Sequence, residues 1–141
     1  LNSFLIIIIF QIIIGAFLAG LNGGLLYNSW PDMNGNFLPD DIVKADLYKP
    51  DSLSNASVIQ FYHRLAAYIM IIFLIILNFI FYNKKIQSKS IIVFNFAILF
   101  QIVLGIITLI TGVKIYYASL HQLGSVFVLI SFLFIYYKNT N

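Results

Sequence analysis

The chain has 141 residues, of which 61% are hydrophobic and 9% charged, and its mean hydropathy is +0.95; soluble domains carry about 25% charged residues, so most of this surface belongs in lipid. The net charge of +3 comes without a basic patch interleaved with aromatics, which argues against nucleic acid as a partner. With no cysteine, disulfide, iron–sulfur and thiolate chemistry are excluded, and all five acids are aspartates.

Four apolar runs approach the ~20 residues that cross a bilayer. The pattern predicts an all-α membrane protein, a single domain 1–141 built as a four-helix transmembrane bundle. The first span covers about 4–21. No basic residue precedes it, unlike a signal peptide, so it reads as a retained helix. The chain starts at Leu1 rather than Met, which suggests the C-terminal part of a longer protein. Gly15/Ala19 and Ala16/Gly20 are small-xxx-small pairs and read as ordinary tight helix packing. A long polar loop, 22–57, follows, with Gly23-Gly24, Trp30-Pro31, Asn34-Gly35 and Pro39-Asp40-Asp41 as turn signals. Loops of this length are usually functional or disordered.

The second span covers about 58–82 and contains His63. A short basic connection holds Lys84, Lys85 and Lys89. The third span, about 91–111, leads through a turn with Lys114 into the fourth, about 116–137, which contains His121; Lys138 lies in the tail. The long loop carries two lysines against five aspartates. The positive-inside rule therefore puts both termini and the basic connection on the cytoplasmic side, and the long loop outside. In that topology His63 and His121, the only histidines, lie at one depth, within about two turns of the outer ends of their helices.

The chain also repeats itself. Phe10-Gln11-Ile12-Ile13-Ile14-Gly15 matches Phe100-Gln101-Ile102-Val103-Leu104-Gly105, and each string is followed by a helix with His-x-Leu-small-small: His63-Arg64-Leu65-Ala66-Ala67 and His121-Gln122-Leu123-Gly124-Ser125. Two related helical hairpins would face each other, with their histidines across a central gap. An ionisable residue in a membrane helix is a functional hypothesis by default. Two matched imidazoles point to one shared ligand, and a bis-histidine haem iron fits it. Ala66, Ala67, Gly124 and Ser125 would let the macrocycle approach the backbones. Arg64 would pair with a propionate through its forked donors. A backbone carbonyl one turn back, Gln60 or Gln122 would serve the second ring nitrogens. Gln11 and Gln101 read as interhelical hydrogen-bond residues. Zinc fits less well, because it wants three or four protein ligands. Acid–base work by His63 lacks a carboxylate partner. The plainer alternative for each histidine is an interfacial, hydrogen-bonded residue.

Several strings together resemble the heme A synthase family. Gly15 to Pro39, GAFLAGLNGGLLYNSWPDMNGNFLP, is similar to its small-residue helix and Tyr-Asn-Thr/Ser-Trp/Phe-Pro-x-Met loop. Val58 to Tyr68, VIQFYHRLAAY, resembles its Gln-Phe-x-His-Arg helix start, and QIVLGIIT (101–108) and LHQLG (120–124) resemble its last two helices. The resemblance implies the C-terminal half of an eight-helix, pseudo-symmetric membrane oxidoreductase. That enzyme oxidises a ring methyl of haem O to the formyl group of haem A, for terminal oxidases. It implies haem b as cofactor, with His63 and His121 as axial iron ligands and Arg64 as a cofactor-binding residue. It assigns no catalytic residue to this chain: the family's catalytic Glu-x-x-His belongs to the other half, and the corresponding position here is Gln60. Asn22, Asp32 and Asn34 depart from the family's usual loop residues, and the loop lacks the cysteine pair of some members. The implied partners are the N-terminal half of the same protein, haem O, the lipid bilayer and, as a candidate, haem O synthase. The implied location is the bacterial or mitochondrial inner membrane. The chain alone is expected to bind haem without making haem A. The competing expectations are a stand-alone b-type cytochrome that transfers electrons and a haem-free membrane assembly subunit.

Overall fold

The computed structural model describes residues 1–84 and 89–140; Lys85 of the basic connection lies outside the described residues. Four helices account for most of the chain: α1 (Asn2–Gly20), α2 (Ala56–Asn83), α3 (Lys89–Ile110) and α4 (Ile115–Thr140). All four are long and apolar enough to cross a membrane. Helices are what such sequences form in lipid, because every backbone N–H and C=O must be satisfied within the segment. The helices run a few polar residues past most of the predicted apolar runs, since the hydrogen-bond ladder continues into polar ends.

Two boundaries have a clear local cause. Asn55 caps α2, its Oδ1 accepting from the N–H groups of Ser57 (2.9 Å) and Val58 (3.2 Å). Between α3 and α4 the chain turns through Gly112 (φ 68°) and Val113 (φ 55°). A β-branched residue in the left-handed region is costly and is held by its surroundings. Here the Val113 N–H donates to Thr108 O at 2.8 Å. Its side chain also rests on Gly24, where an added Cβ would come within 2.9 Å of Val113 Cγ2.

α1 packs chiefly on α2, α3 chiefly on α4, and α1 also meets α4. The buried apolar core joins Phe4 and Ile8 of α1, Leu74, Leu77 and Phe81 of α2, Phe94 and Ile98 of α3, and Phe132 and Ile135 of α4. All of these lie in the half of the bundle remote from the long loop. Phe4, Phe94 and Phe132 form its centre, with ring centroids 5.1–5.6 Å apart. Outside this core the helices present isoleucine, phenylalanine and leucine outward, as a lipid-facing surface requires.

α2 and α3 share a reciprocal amide pair. Asn78 Nδ2 donates to Asn95 Oδ1 at 3.0 Å, and Asn95 Nδ2 donates to Asn78 Oδ1 at 2.7 Å. Interhelical bonds of this kind contribute roughly 0.6–2 kcal/mol in membrane bundles. Asn95→Leu should therefore lower stability by about 1 kcal/mol in a reversible detergent-unfolding titration. The Asn78→Leu/Asn95→Leu double variant should lose less than the sum of the two single changes.

Candidate functional site

The bundle half next to the long loop contains the histidines. His63 is the eighth residue of α2 and His121 the seventh of α4, and both helices start at the loop end. The two imidazoles meet there, ring centroids 6.5 Å apart and planes at 82°. The expected pairing across the two hairpins is thus present in space.

Each histidine is held by the odd helix of its own hairpin, in the same way twice. Gln11 Nε2 donates to the His63 carbonyl at 3.0 Å and lies 3.4 Å from His63 Nε2. Gln101 Nε2 donates to the His121 carbonyl at 2.7 Å. Four residues on, and so on the same helix face, comes a glycine. A Cβ on Gly15 would stand 3.2 Å from His63 Cε1, and a Cβ on Gly105 would stand 2.9 Å from His121 Cε1. The repeated Phe-Gln-x-x-x-Gly string is therefore a repeated contact. Gln11 and Gln101 are interhelical hydrogen-bond residues, as expected from sequence.

Three expectations change. Gly15 does more than ordinary helix packing, because its missing side chain makes room for the His63 ring. Gly124 does not open the backbone beside His121 to a macrocycle: the Gln101 amide fills the space a Cβ would take. Gln60 is not a partner for His63. It is 1% exposed and donates to the Tyr27 carbonyl at 2.9 Å. Gln122 is exposed, with no hydrogen bond from its side chain to either ring. The Nδ1 atoms of both histidines are buried and unpartnered, as are Oε1 of Gln11 and of Gln101.

The long loop is ordered by α2. Arg64 Nη1 donates to Ser29 O (3.0 Å) and Asp32 O (2.7 Å), and Nη2 donates to Tyr27 O (2.8 Å). All three partners are neutral carbonyls, so among the described residues the guanidinium has no ion pair, and its Nε is buried without a partner. Tyr62 donates to Leu47 O and Tyr68 to Pro31 O (3.1 Å). Asn28 Nδ2 reaches Leu109 O at the end of α3 (2.9 Å), tying the loop to the second hairpin.

Tyr27, 4% exposed, is the hub of the loop. Its hydroxyl lies 2.6 Å from Asp40 Oδ1 and 2.7 Å from Asp41 Oδ1, and Ser57 Oγ donates to Asp41 Oδ2 at 2.5 Å. Burial first, and the two carboxylates next, hold its phenol above the ordinary tyrosine range. The stability this contributes is present below the unfolded tyrosine pKa and is lost as pH rises through the folded one. Asp46 and Lys49 form an exposed pair at 2.6 Å that lowers the carboxyl and raises the ammonium pKa.

The residues present fit a group held by two axial imidazoles. Two such rings bound to one metal ion at about 2 Å per nitrogen would have centres roughly 6 Å apart. The donor set is two histidines with no carboxylate or thiolate near. Among the described residues no cluster of three or more histidine, cysteine or acidic side chains could hold a bare metal ion. Sequence reasoning missed Tyr27, Asp41 and Ser57, whose long-range pairing leaves no local pattern. It also missed the role of Gly105, although the repeated string already pointed to that residue.

Residues 1–133 match the COX15-CtaA family, described as cytochrome oxidase assembly protein. The chain is 58% identical over 135 residues to the heme A synthase of Pelagibacter ubique, covering 96% of this chain and 40% of that protein. It is 38% identical over 135 residues to the heme A synthase of Rickettsia felis, covering 93% and 39%. It is 36% identical over 121 residues to that of the Wolbachia of Brugia malayi, covering 86% and 35%. The chain thus spans about two fifths or less of the length of these relatives. No solved structure matches it.

Arg64→Lys tests the loop anchor. An ammonium cannot span three carbonyls as a planar fork does. The loop should open more readily, with proteolysis near Trp30 rising roughly tenfold for each 1.4 kcal/mol lost. The helix content measured by circular dichroism should stay unchanged.

Proposed function

Because the chain belongs to the COX15-CtaA cytochrome oxidase assembly family, we propose that it is the haem b-binding C-terminal portion of a heme A synthase, an integral membrane oxidoreductase of haem A formation. The observation that carries this reading is the pair of imidazoles 6.5 Å apart, one from each hairpin, with no group of three or more histidine, cysteine or acidic side chains among the described residues.

When bound, haem supplies a one-electron iron couple whose potential depends on its axial ligands and their hydrogen bonds. The chain's own residues do the rest. His63 and His121 would hold the iron through their imidazoles. Gln11 and Gln101 hold the backbones from which those rings project. The apolar core fills the half of the bundle remote from the rings. Arg64, which among the described residues has no ion pair, brings a positive charge to the loop end of the site, where a propionate could use its remaining donors.

Oxidation of a ring methyl needs further residues. Gln60, three before His63, is an amide directed at Tyr27 O and cannot act as general acid or base. The oxidising step is therefore assigned to the portion of the enzyme that this chain does not represent, acting on haem O. For orientation, the basic residues Lys84, Lys89 and Lys138 lie at the end remote from the loop, so that end is read as cytoplasmic or matrix-side and the loop as outside.

A reduced-minus-oxidised absorption spectrum of the purified chain, with the extracted pigment identified by chromatography, tests the reading. A low-spin b-type spectrum is expected, lost or turned high-spin in both His63→Ala and His121→Ala. A folded parent that takes up no haem would overturn it.

A further inference from the structure

The two hairpins treat their histidines alike, and the likeness extends past the ligands. On α1 and on α3 a glutamine and a glycine stand four residues apart, at 11/15 and 101/105. Residues at that spacing share a helix face. In each hairpin this face meets the histidine of the neighbouring helix. The glutamine amide bonds the histidine's own carbonyl, at 3.0 Å and 2.7 Å. That oxygen has two lone pairs and so accepts this bond in addition to the helical one. The glycine receives the ring, with Cε1 3.2 Å and 2.9 Å from where its Cβ would be, and Nδ1 3.7 Å and 3.4 Å away. One contact fixes the point from which the side chain leaves the helix; the other fixes how far the ring can swing. Together they leave little freedom at χ1 and χ2.

Other glycines differ. Gly20 has nothing within 4 Å of an added Cβ. Gly24 and Gly23 meet Val113 and Leu18, which are loop and helix packing contacts. Only Gly15 and Gly105 face a histidine.

We propose that Gln11 with Gly15, and Gln101 with Gly105, are duplicated positioning pairs, each setting the ring orientation of its own histidine and so the near-perpendicular arrangement of the two imidazole planes. The proposal rests on the reading of His63 and His121 as ligands of one haem for its consequence, but its geometry concerns this chain alone. Residues that orient a metal-bound histidine alter metal affinity by roughly 10–100-fold when replaced. The angle between axial imidazole planes also governs the anisotropy of a low-spin ferric haem, which electron paramagnetic resonance reads directly.

The test uses the protein at its full natural length, with Gln11→Leu, Gly15→Ala, Gln101→Leu and Gly105→Ala, and Gly20→Ala as the control. Loaded with haem b, the parent should give a strongly anisotropic low-spin signal. All four variants should keep low-spin haem, bind it roughly 10–100-fold more weakly, and shift the largest g value; Gly20→Ala should change neither. Variants with unchanged spectra and affinity would overturn the proposal.

The same proteins without haem, labelled at histidine, provide a second readout. Gln11→Leu and Gly15→Ala should move the His63 ring resonances and leave those of His121 in place; the α3 variants should do the reverse. If the parent takes up no haem, the haem reading fails and these resonances alone decide: a hairpin-selective shift upholds the positioning pairs, and no shift refutes them. If an alanine variant does not fold, the glutamine variant of the same hairpin decides.

Discussion

An imidazole inside an apolar bundle needs room for a planar ring and a fixed backbone to carry it, and lipid supplies neither. Here a glycine on the neighbouring helix supplies the room and a glutamine one turn away supplies the hold, once for His63 and once for His121. Each cradle sits inside one of the two closely packed helix pairs, α1 with α2 and α3 with α4. Phenylalanines fill the half remote from the loop, while around the histidines Gly15, Gly105, Gln11 and Gln101 take positions that larger apolar side chains could not share with the rings.

The second organising element is a cation. Arg64, adjacent in sequence to His63, collects three loop carbonyls, and Gln60, one turn earlier, collects one of the same set. Tyr27 is thereby held by its carbonyl from α2, and its hydroxyl gathers Asp40 and Asp41, with Ser57 completing the link back to α2. The loop is a lid anchored to the first three turns of α2, the stretch that also carries His63. A change in the loop and a change at the imidazole are mechanically neighbours, because Arg64 and His63 share a backbone.

The chain belongs to the COX15-CtaA family, and heme A synthases match nearly all of it while being more than twice as long. The residues of this chain provide two imidazoles side by side and an anchored loop, and among the described residues no group of three or more histidine, cysteine or acidic side chains surrounds them.

The sequence by itself determined the four helices, because long uncharged runs leave the backbone no other way to satisfy its polar groups in lipid. It also singled out His63, His121 and Arg64, since ionisable groups are rare in such runs, and the Phe-Gln-x-x-x-Gly repeat announced two equivalent hairpins. The roles of Gln60, Gly15 and Gly124 were decided only by tertiary structure. A glutamine can reach a ring or a carbonyl with equal chemistry, and a glycine's vacancy has meaning only when the atom that fills it is known: a His63 ring in one case, a Gln101 amide in the other. The Tyr27–Asp40–Asp41–Ser57 cluster was beyond the sequence for the same reason. Its hydrogen-bonded pairs are 13 to 16 residues apart, and no local periodicity records which turns of an irregular loop will fold back on the start of a helix.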